Sequence, residues 1–190
     1  RRLRERVAAE NPSLGHDMSA LRRLTLEAAL RESGGEVALA EAAYEAFFAE
    51  RNRVECYPDA IGALERISAR LPLVALSNGN ADLARIGLDH LFSAQISACS
   101  FGSAKPDPAI FIAACELAGA RPPQVLHVGD HPDADIAGAA RAGLRSCWID
   151  RESRDWPHDD IRPDLHFHTL SALADWLDAA SPRLPKAATA

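Results

Sequence analysis

The spacing of apolar residues changes once along the chain, near Cys56-Tyr57-Pro58. Before that point apolar side chains recur at helical intervals. Arg1 to Glu10 reads as a short helix stopped by Asn11-Pro12, because a proline drives the residue before it out of the helical region. Leu21, Leu24, Ala28 and Leu30 mark the stripe of a second helix, capped by Asp17 or Ser19 and ended by Ser33-Gly34-Gly35. Leu39, Ala42, Ala43, Phe47 and Phe48 mark a third, from about Val37 to Arg51. The stripes are narrow, so these helices need another surface to pack on.

After Tyr57, short apolar runs alternate with helical stretches. Strands are expected over 71–76, 94–98, 124–128, 145–149 and 165–167, and helices over 60–69, 81–87, 106–118, 133–142 and 170–179. Gly119 and Gly143 stand where helix C-caps are needed. Strands separated by helices of ~10 residues predict right-handed βαβ units on a parallel sheet. The expected fold class is therefore α/β: a Rossmann-like parallel-sheet core over 57–180, preceded by a helical unit over 1–56. The Pro- and Ala-rich tail, 181–190, is expected to fray.

With 190 residues the chain can bury one substantial core, with room for an appendage. Lys and Arg number 21 and Asp and Glu 27, a net charge of −6, with no basic stripe. That balance argues against nucleic-acid binding, and no apolar run reaches the ~18 residues of a membrane span. Cys56, Cys99, Cys115 and Cys147 are widely spaced, which reads as reduced thiols in a cytoplasmic protein rather than a disulfide or zinc framework.

Three strand-end or loop features carry chemistry. They are Leu76-Ser77-Asn78-Gly79, Ala104-Lys105-Pro106-Asp107-Pro108, and Val128-Gly129-Asp130 followed by Asp133 and Asp135. The C-terminal ends of parallel strands share one edge, so these features converge. Ser77, Asn78 and the backbone around Gly79 offer hydrogen-bond donors, Lys105 a positive charge, and Asp130 and Asp135 a hard-cation site. Hydroxyl, ammonium and metal around one point are what a phosphoryl group requires. Alone, Ser77-Asn78-Gly79 is a turn, Lys105 a solvated charge, and Asp133 a helix cap; together, on this framework, they read as a site. Arg22, Arg23 and Arg53 read as solvated helix charges that could reach a substrate.

These residues resemble motifs II, III and IV of the haloacid dehalogenase-like (HAD) superfamily: Leu76-Ser77-Asn78-Gly79, Lys105-Pro106-Asp107-Pro108, and Gly129-Asp130 with Asp135-x-x-Gly138-Ala139. The resemblance implies a Rossmann-like HAD core with the helical cap of subfamily I. It implies that Ser77, Asn78 and Gly79 bind the transferring phosphoryl group, that Lys105 balances charge, and that Asp130 and Asp135 serve a Mg2+ ion. The 2-haloacid dehalogenases share Leu-Ser-Asn-Gly, but Ser-Ser-Asn tends to replace Gly-Asp at motif IV. Gly129-Asp130 therefore favours a Mg2+-dependent phosphatase of a small phosphorylated metabolite. Arg53 through Asp59 and Gly79-Asn80-Ala81-Asp82 are similar to the YigB-like phosphatases, implying FMN or a riboflavin-pathway phosphate as substrate.

The family's motif I, Asp-x-Asp-x-Thr at the end of the first strand, has no match. Asp17 follows no apolar strand and Asp59 stands at a helix start. The nucleophile and the acid/base are thus expected upstream of Arg1, on a strand and loop of about 20–40 residues. Without them the chain is expected to be inactive. The missing strand is expected mid-sheet, beside the strands ending at Ser77 and Asp130. The alternatives are a haloacid dehalogenase-like hydrolase and a catalytically inactive HAD-like binding protein.

Overall fold

The computed structural model describes residues 1–180; the expected fraying of the tail lies outside the described residues. Three helices open the chain: α1 (Arg2–Glu10), α2 (Met18–Glu32) and α3 (Ala40–Arg51). Asp17 caps α2 by accepting from the Ala20 amide at 2.9 Å. The aromatic stripe of α3 stacks on itself, Tyr44 on Phe48 at 5.8 Å. Arg22 lies over Phe47 and Arg23 over Tyr44, so these long side chains cover the aromatic faces.

The remaining elements alternate as the periodicity predicts. They are α4 (Ala60–Ser68), β1 (Val74–Ser77), α5 (Leu83–Ile86), β2 (Ala94–Ser97), α6 (Ala98–Phe101), α7 (Pro108–Leu117), β3 (Leu126–Gly129), α8 (Gly138–Arg141), β4 (Arg145–Ile149), β5 (Leu165–Phe167) and α9 (Leu170–Ala180). Two strand starts differ from expectation. Pro72 has no amide for a ladder, so β1 begins at Val74 rather than Leu71. Gln124 ends a 3-10 turn begun by Pro122, so β3 begins at Leu126.

The helix expected over 133–142 is divided. Pro132–Ala137 winds as a π-helix, and regular α-helix resumes only at Gly138. The expected cap, Asp133, is not the cap: His131 Nδ1 accepts from the Asp133 and Ala134 amides, each at 3.2 Å. The Asp133 carboxylate instead lies 3.0 Å from His158 Nε2, in a geometry that makes no hydrogen bond.

All pairings are parallel. Among the described residues β1 pairs with β2, and β3–β4–β5 form a second ladder; no ladder joins β1 to β3. Both strands instead line one cavity of about 1100 Å³, with Leu73, Leu76, Val125 and Leu126 on its walls. Beside that cavity β3 is only half-buried, against the fully buried strand its apolar run predicts, and Val128 is 37% exposed.

On one side of the core α7 and α8 contribute Ile110, Phe111, Cys115 and Ala139, packed with Leu144, Leu76 and Ile96. Full burial of side chains such as Ile110 and Phe111 contributes ~1.5–3 kcal/mol each. Gly138 permits this contact, since a β-carbon there would stand 2.8 Å from the Phe111 ring. Elsewhere α4 and α9 pack together through Ala63, Ile67 and Ala174, and Leu173 meets Cys147 and Ile149 of β4. Burial pushes the Cys147 thiol up to about 12, so it behaves as a core hydrophobe. No helix among the described residues is long and apolar enough to cross a membrane.

Asp59 joins the layers. Its carboxylate accepts a forked pair of bonds from Arg151 at 2.8 and 3.1 Å, and another from the Leu170 amide at the start of α9 at 2.8 Å.

Candidate active site

The loop after β1 and the loop before α7 are fastened to each other by a single side chain. Asn78 Oδ1 accepts from the Lys105 amide at 2.7 Å, and Asn78 Nδ2 donates to the Lys105 carbonyl at 2.8 Å. Both polar groups of the amide are thereby used to hold the Lys105 backbone. Asn78 is thus a brace between loops, and bracing uses one of the two protons on Nδ2.

The brace sends the Lys105 side chain inward. Its ammonium donates to the Leu76 carbonyl at 3.2 Å and to Asp135 Oδ1 at 2.6 Å. The Lys105 side chain is 12% exposed and that of Asp135 5%. The solvated reading of Lys105 is therefore incorrect. A buried ammonium needs a counter-charge, and the π-helical turn supplies one by swinging Asp135 back beneath Gly129. A β-carbon on Gly129 would overlap the Asp135 carboxylate, so glycine is required there by space.

Asp135 accepts twice more, from the His131 amide at 3.0 Å and in a 3.0 Å contact with His127 Nε2. Burial pushes the Asp135 carboxyl up. The hydrogen bond from His127 and the charge and hydrogen bond of Lys105 outweigh burial and hold it well below the usual carboxylate range. His127 was not singled out from the sequence, where it reads as one residue of an apolar strand. A polar residue inside such a run needs a buried partner, and that was the available signal.

Asp130 ends β3 with an exposed side chain that accepts no hydrogen bond from a described residue. Its backbone is fixed instead. The Asp130 carbonyl accepts from Trp148 Nε1 at 3.1 Å and from Arg154 Nη2 at 3.0 Å. Arg154 is anchored by Asp150, whose oxygens accept from the Arg154 amide at 2.6 Å and from Nε at 3.0 Å. A carboxylate that accepts no hydrogen bond from a described residue, on a braced strand end, suits a hard cation such as Mg2+, which takes few protein ligands and keeps its waters. Asp135 has three of its roughly four lone-pair sites filled, which suits a supporting role in such a site.

Ser77 Oγ accepts from the Gly79 amide at 2.9 Å, leaving its hydroxyl proton for another acceptor. The opening helices reach this loop. Asn80 Nδ2 donates to Ser19 Oγ at 3.2 Å, and the Asp82 amide donates to Asn52 Oδ1 at 2.7 Å. Arg51 Nη2 comes within 3.6 Å of the point where a Gly79 β-carbon would stand, and Ser77 Oγ within 3.3 Å. Gly79 thus keeps open a space between a hydroxyl and a guanidinium. Arg51 escaped the sequence reading. Of the arginines that reading considered, Arg23 pairs with Glu41 and Arg53 with Glu50.

A family model described as haloacid dehalogenase-like hydrolase matches residues 4–143. The chain belongs to the haloacid dehalogenase-like hydrolases. It is 40% identical over 149 residues to the phosphoserine phosphatase of Thermus thermophilus, covering 75% of this chain and 59% of that protein's length. It is 31% identical over 180 residues to the 5-amino-6-(5-phospho-D-ribitylamino)uracil phosphatase YigB of Escherichia coli, covering 90% of this chain and 75% of that protein. Among solved structures, a 2-haloacid dehalogenase from Pseudomonas syringae matches with a TM-score of 0.86 and 37% identity, over 95% of this chain and 80% of that one. The HAD fold expected from the motifs is thus the fold observed, and both phosphatases and dehalogenases stand among its relatives.

Proposed function

We propose that this chain forms most of a Mg2+-dependent HAD phosphatase that hydrolyses a small phosphorylated metabolite through an aspartyl-phosphate. In this reading 1–56 is the cap and 57–180 the core. The nucleophilic aspartate arrives on a strand that occupies the cavity between β1 and β3. The observation that carries the proposal is Asp130, an exposed carboxylate at the braced end of β3 that accepts no hydrogen bond from a described residue. A dehalogenase, whose leaving group is a halide, has no need of a cation there.

The remaining residues take roles their geometry supports. Ser77 directs its free hydroxyl proton at a phosphoryl oxygen. Gly79 and Arg51 leave room for, and charge to meet, an anionic substrate. Lys105, held between the Leu76 carbonyl and Asp135, supplies a fixed positive charge that needs no reorganisation during the reaction. Asp130, with Asp135 in support, would hold Mg2+, which would supply positive charge to balance the transferring group. The cap, tied to the core through Asn80–Ser19 and Asp82–Asn52, closes over the site and sheds bulk water.

The test is phosphate release by the chain extended to include a strand ending in Asp-x-Asp, assayed on a panel of phosphorylated metabolites with FMN among them. Hydrolysis that is lost in EDTA and restored by Mg2+ is expected. Chloride release from a 2-haloacid that survives EDTA would decide for the dehalogenase reading, which the Pseudomonas syringae structural relative favours.

A further inference from the structure

A second group of metal-binding side chains lies away from Lys105 and Asp135, at the ends of β4 and β5. The parallel register sets Trp148 beside His166. The ladder continues one step further, with the Asp150 amide donating to the Phe167 carbonyl at 2.9 Å. Side chains alternate faces along extended chain, so Trp148 of β4 and Asp150 just past its end share a face with His166 of β5 and His168 just past its end. One ligand atom each from Asp150, His166 and His168 lies within 4.8 Å of the others.

The three groups are prepared for a cation in different ways. His168 Nδ1 is 2.7 Å from the Asp150 carbonyl, which fixes Nδ1 as the donor and leaves the lone pair on Nε2. A ring N–H bound to a backbone carbonyl is the usual support of a metal-binding histidine. His166 stacks on Trp148 with ring centroids 4.6 Å apart, which sets its plane. Asp150 is fully buried, and among the described residues its carboxylate accepts three hydrogen bonds: Glu152 amide and Arg154 Nε to Oδ1, Arg154 amide to Oδ2. A lone pair therefore remains on Oδ2, the oxygen 4.0 Å from His166 Nε2.

We propose that Asp150, His166 and His168 bind a borderline transition-metal cation, of which Zn2+ is the type. Two imidazoles and one carboxylate select Zn2+, Ni2+ or Cu2+ over Mg2+, which prefers oxygen alone. Bonds of ~2.0–2.2 Å would draw the ligand atoms to ~3.3 Å apart. Both histidines are exposed, and reaching that spacing takes a small displacement of each ring from the position its contact with Trp148 or with the Asp150 carbonyl sets. The ion clips the two ends of the irregular segment 150–164, which no helix or strand otherwise orders. It is separate from the Mg2+ position at Asp130, from which Arg154 and Trp148 divide it.

The experiment is calorimetric titration of the chain with ZnCl2 in buffer containing millimolar Mg2+, followed by melting with and without Zn2+. One ion per chain is expected, with a Zn2+-dependent rise in Tm. His166→Gln and His168→Gln should each weaken binding at least 10-fold while leaving the zinc-free Tm within a degree or two. Co2+ in place of Zn2+ should give visible bands without a near-ultraviolet thiolate band. The proposal is overturned by no binding, by displacement of Zn2+ by Mg2+, or by binding undiminished in both histidine variants. A thiolate band that disappears with Cys56→Ser or Cys99→Ser would also overturn it.

Discussion

The buried pair Lys105–Asp135 gives the sharpest test of how this site is held. Asp135→Asn keeps the shape of the side chain and removes its charge. The Lys105 ammonium, 12% exposed, then keeps only neutral acceptors, the Leu76 carbonyl and the amide oxygen, and has no counter-charge among the described residues. Stranding a buried charge costs ~3–5 kcal/mol. Lys105→Met is milder, because Asp135 keeps the His131 amide and His127; one charged hydrogen bond is lost, at ~2–3 kcal/mol. Independent effects would sum to ~5–8 kcal/mol. The double variant removes both charges together and should cost only ~3–5 kcal/mol, a coupling of ~2–3 kcal/mol. Urea unfolding of the four proteins measures this cycle. A double variant equal to the sum of the singles within ~0.5 kcal/mol would refute the claim that these charges stabilise each other.

Three further outcomes follow from the same coordinates. The Asp135 carboxyl is depressed in the folded state, so its contribution is complete above the unfolded value of ~3.9 and is lost as pH falls below it; urea midpoints of the wild-type chain should therefore drop more steeply below ~pH 4 than those of Asp135→Asn. Gly129→Ala drives a methyl into Asp135 and should cost more than ~3 kcal/mol, whereas Gly62→Ala, in α4 with nothing within 4 Å of its new carbon, should stabilise by ~0.5–1 kcal/mol; equal thermal shifts for the two would show that the space at Gly129 is not limiting. Asp59→Ala removes the Arg151 fork and the Leu170 contact and should destabilise by ~2–3 kcal/mol, to be read from the urea midpoint; an unchanged midpoint would remove Asp59 from the joint between α4 and α9.

The element order of this fold was legible because each buried stripe has a local period. Ile110, Phe111, Ala114 and Cys115 recur at helical spacing, and Ser146 to Ile149 form a short buried run flanked by turns. Strand starts were less legible because two depend on proline chemistry at Pro72 and Pro122. The chemistry at Ser77, Lys105 and Asp130 could be read from order along the chain, since parallel strands bring their C-terminal ends to one edge. What could not be read is which atoms each group touches. Asn78 looks like a ligand donor in the sequence, and both halves of its amide hold the Lys105 backbone. Arg154 reaches Asp130 from an irregular segment 24 residues on, and Arg51 reaches the Gly79 loop from the end of α3, so only the folded chain places them.

The two ladders also explain why the polar site and the stability of the core are linked. Ser77 sits on the β1–β2 ladder and Asp130 on the β3–β4–β5 ladder, and no strand pairing joins the two among the described residues. Lys105 crosses between them, bonded to the Leu76 carbonyl of β1 and to Asp135 just beyond β3. The apolar contact of α7 with Leu76 and Ile96 on one ladder, and with Ala139 and Leu144 beside the other, is the second bridge. A strand inserted between β1 and β3 would give both free edges their missing partners and would end beside Lys105. The group it delivers would enter a place already bounded by the Ser77 hydroxyl, the Lys105 ammonium and the Asp130 carboxylate. Lys105, the residue proposed to stabilise charge on a phosphoryl group, therefore also ties the end of β1 to the turn beyond β3.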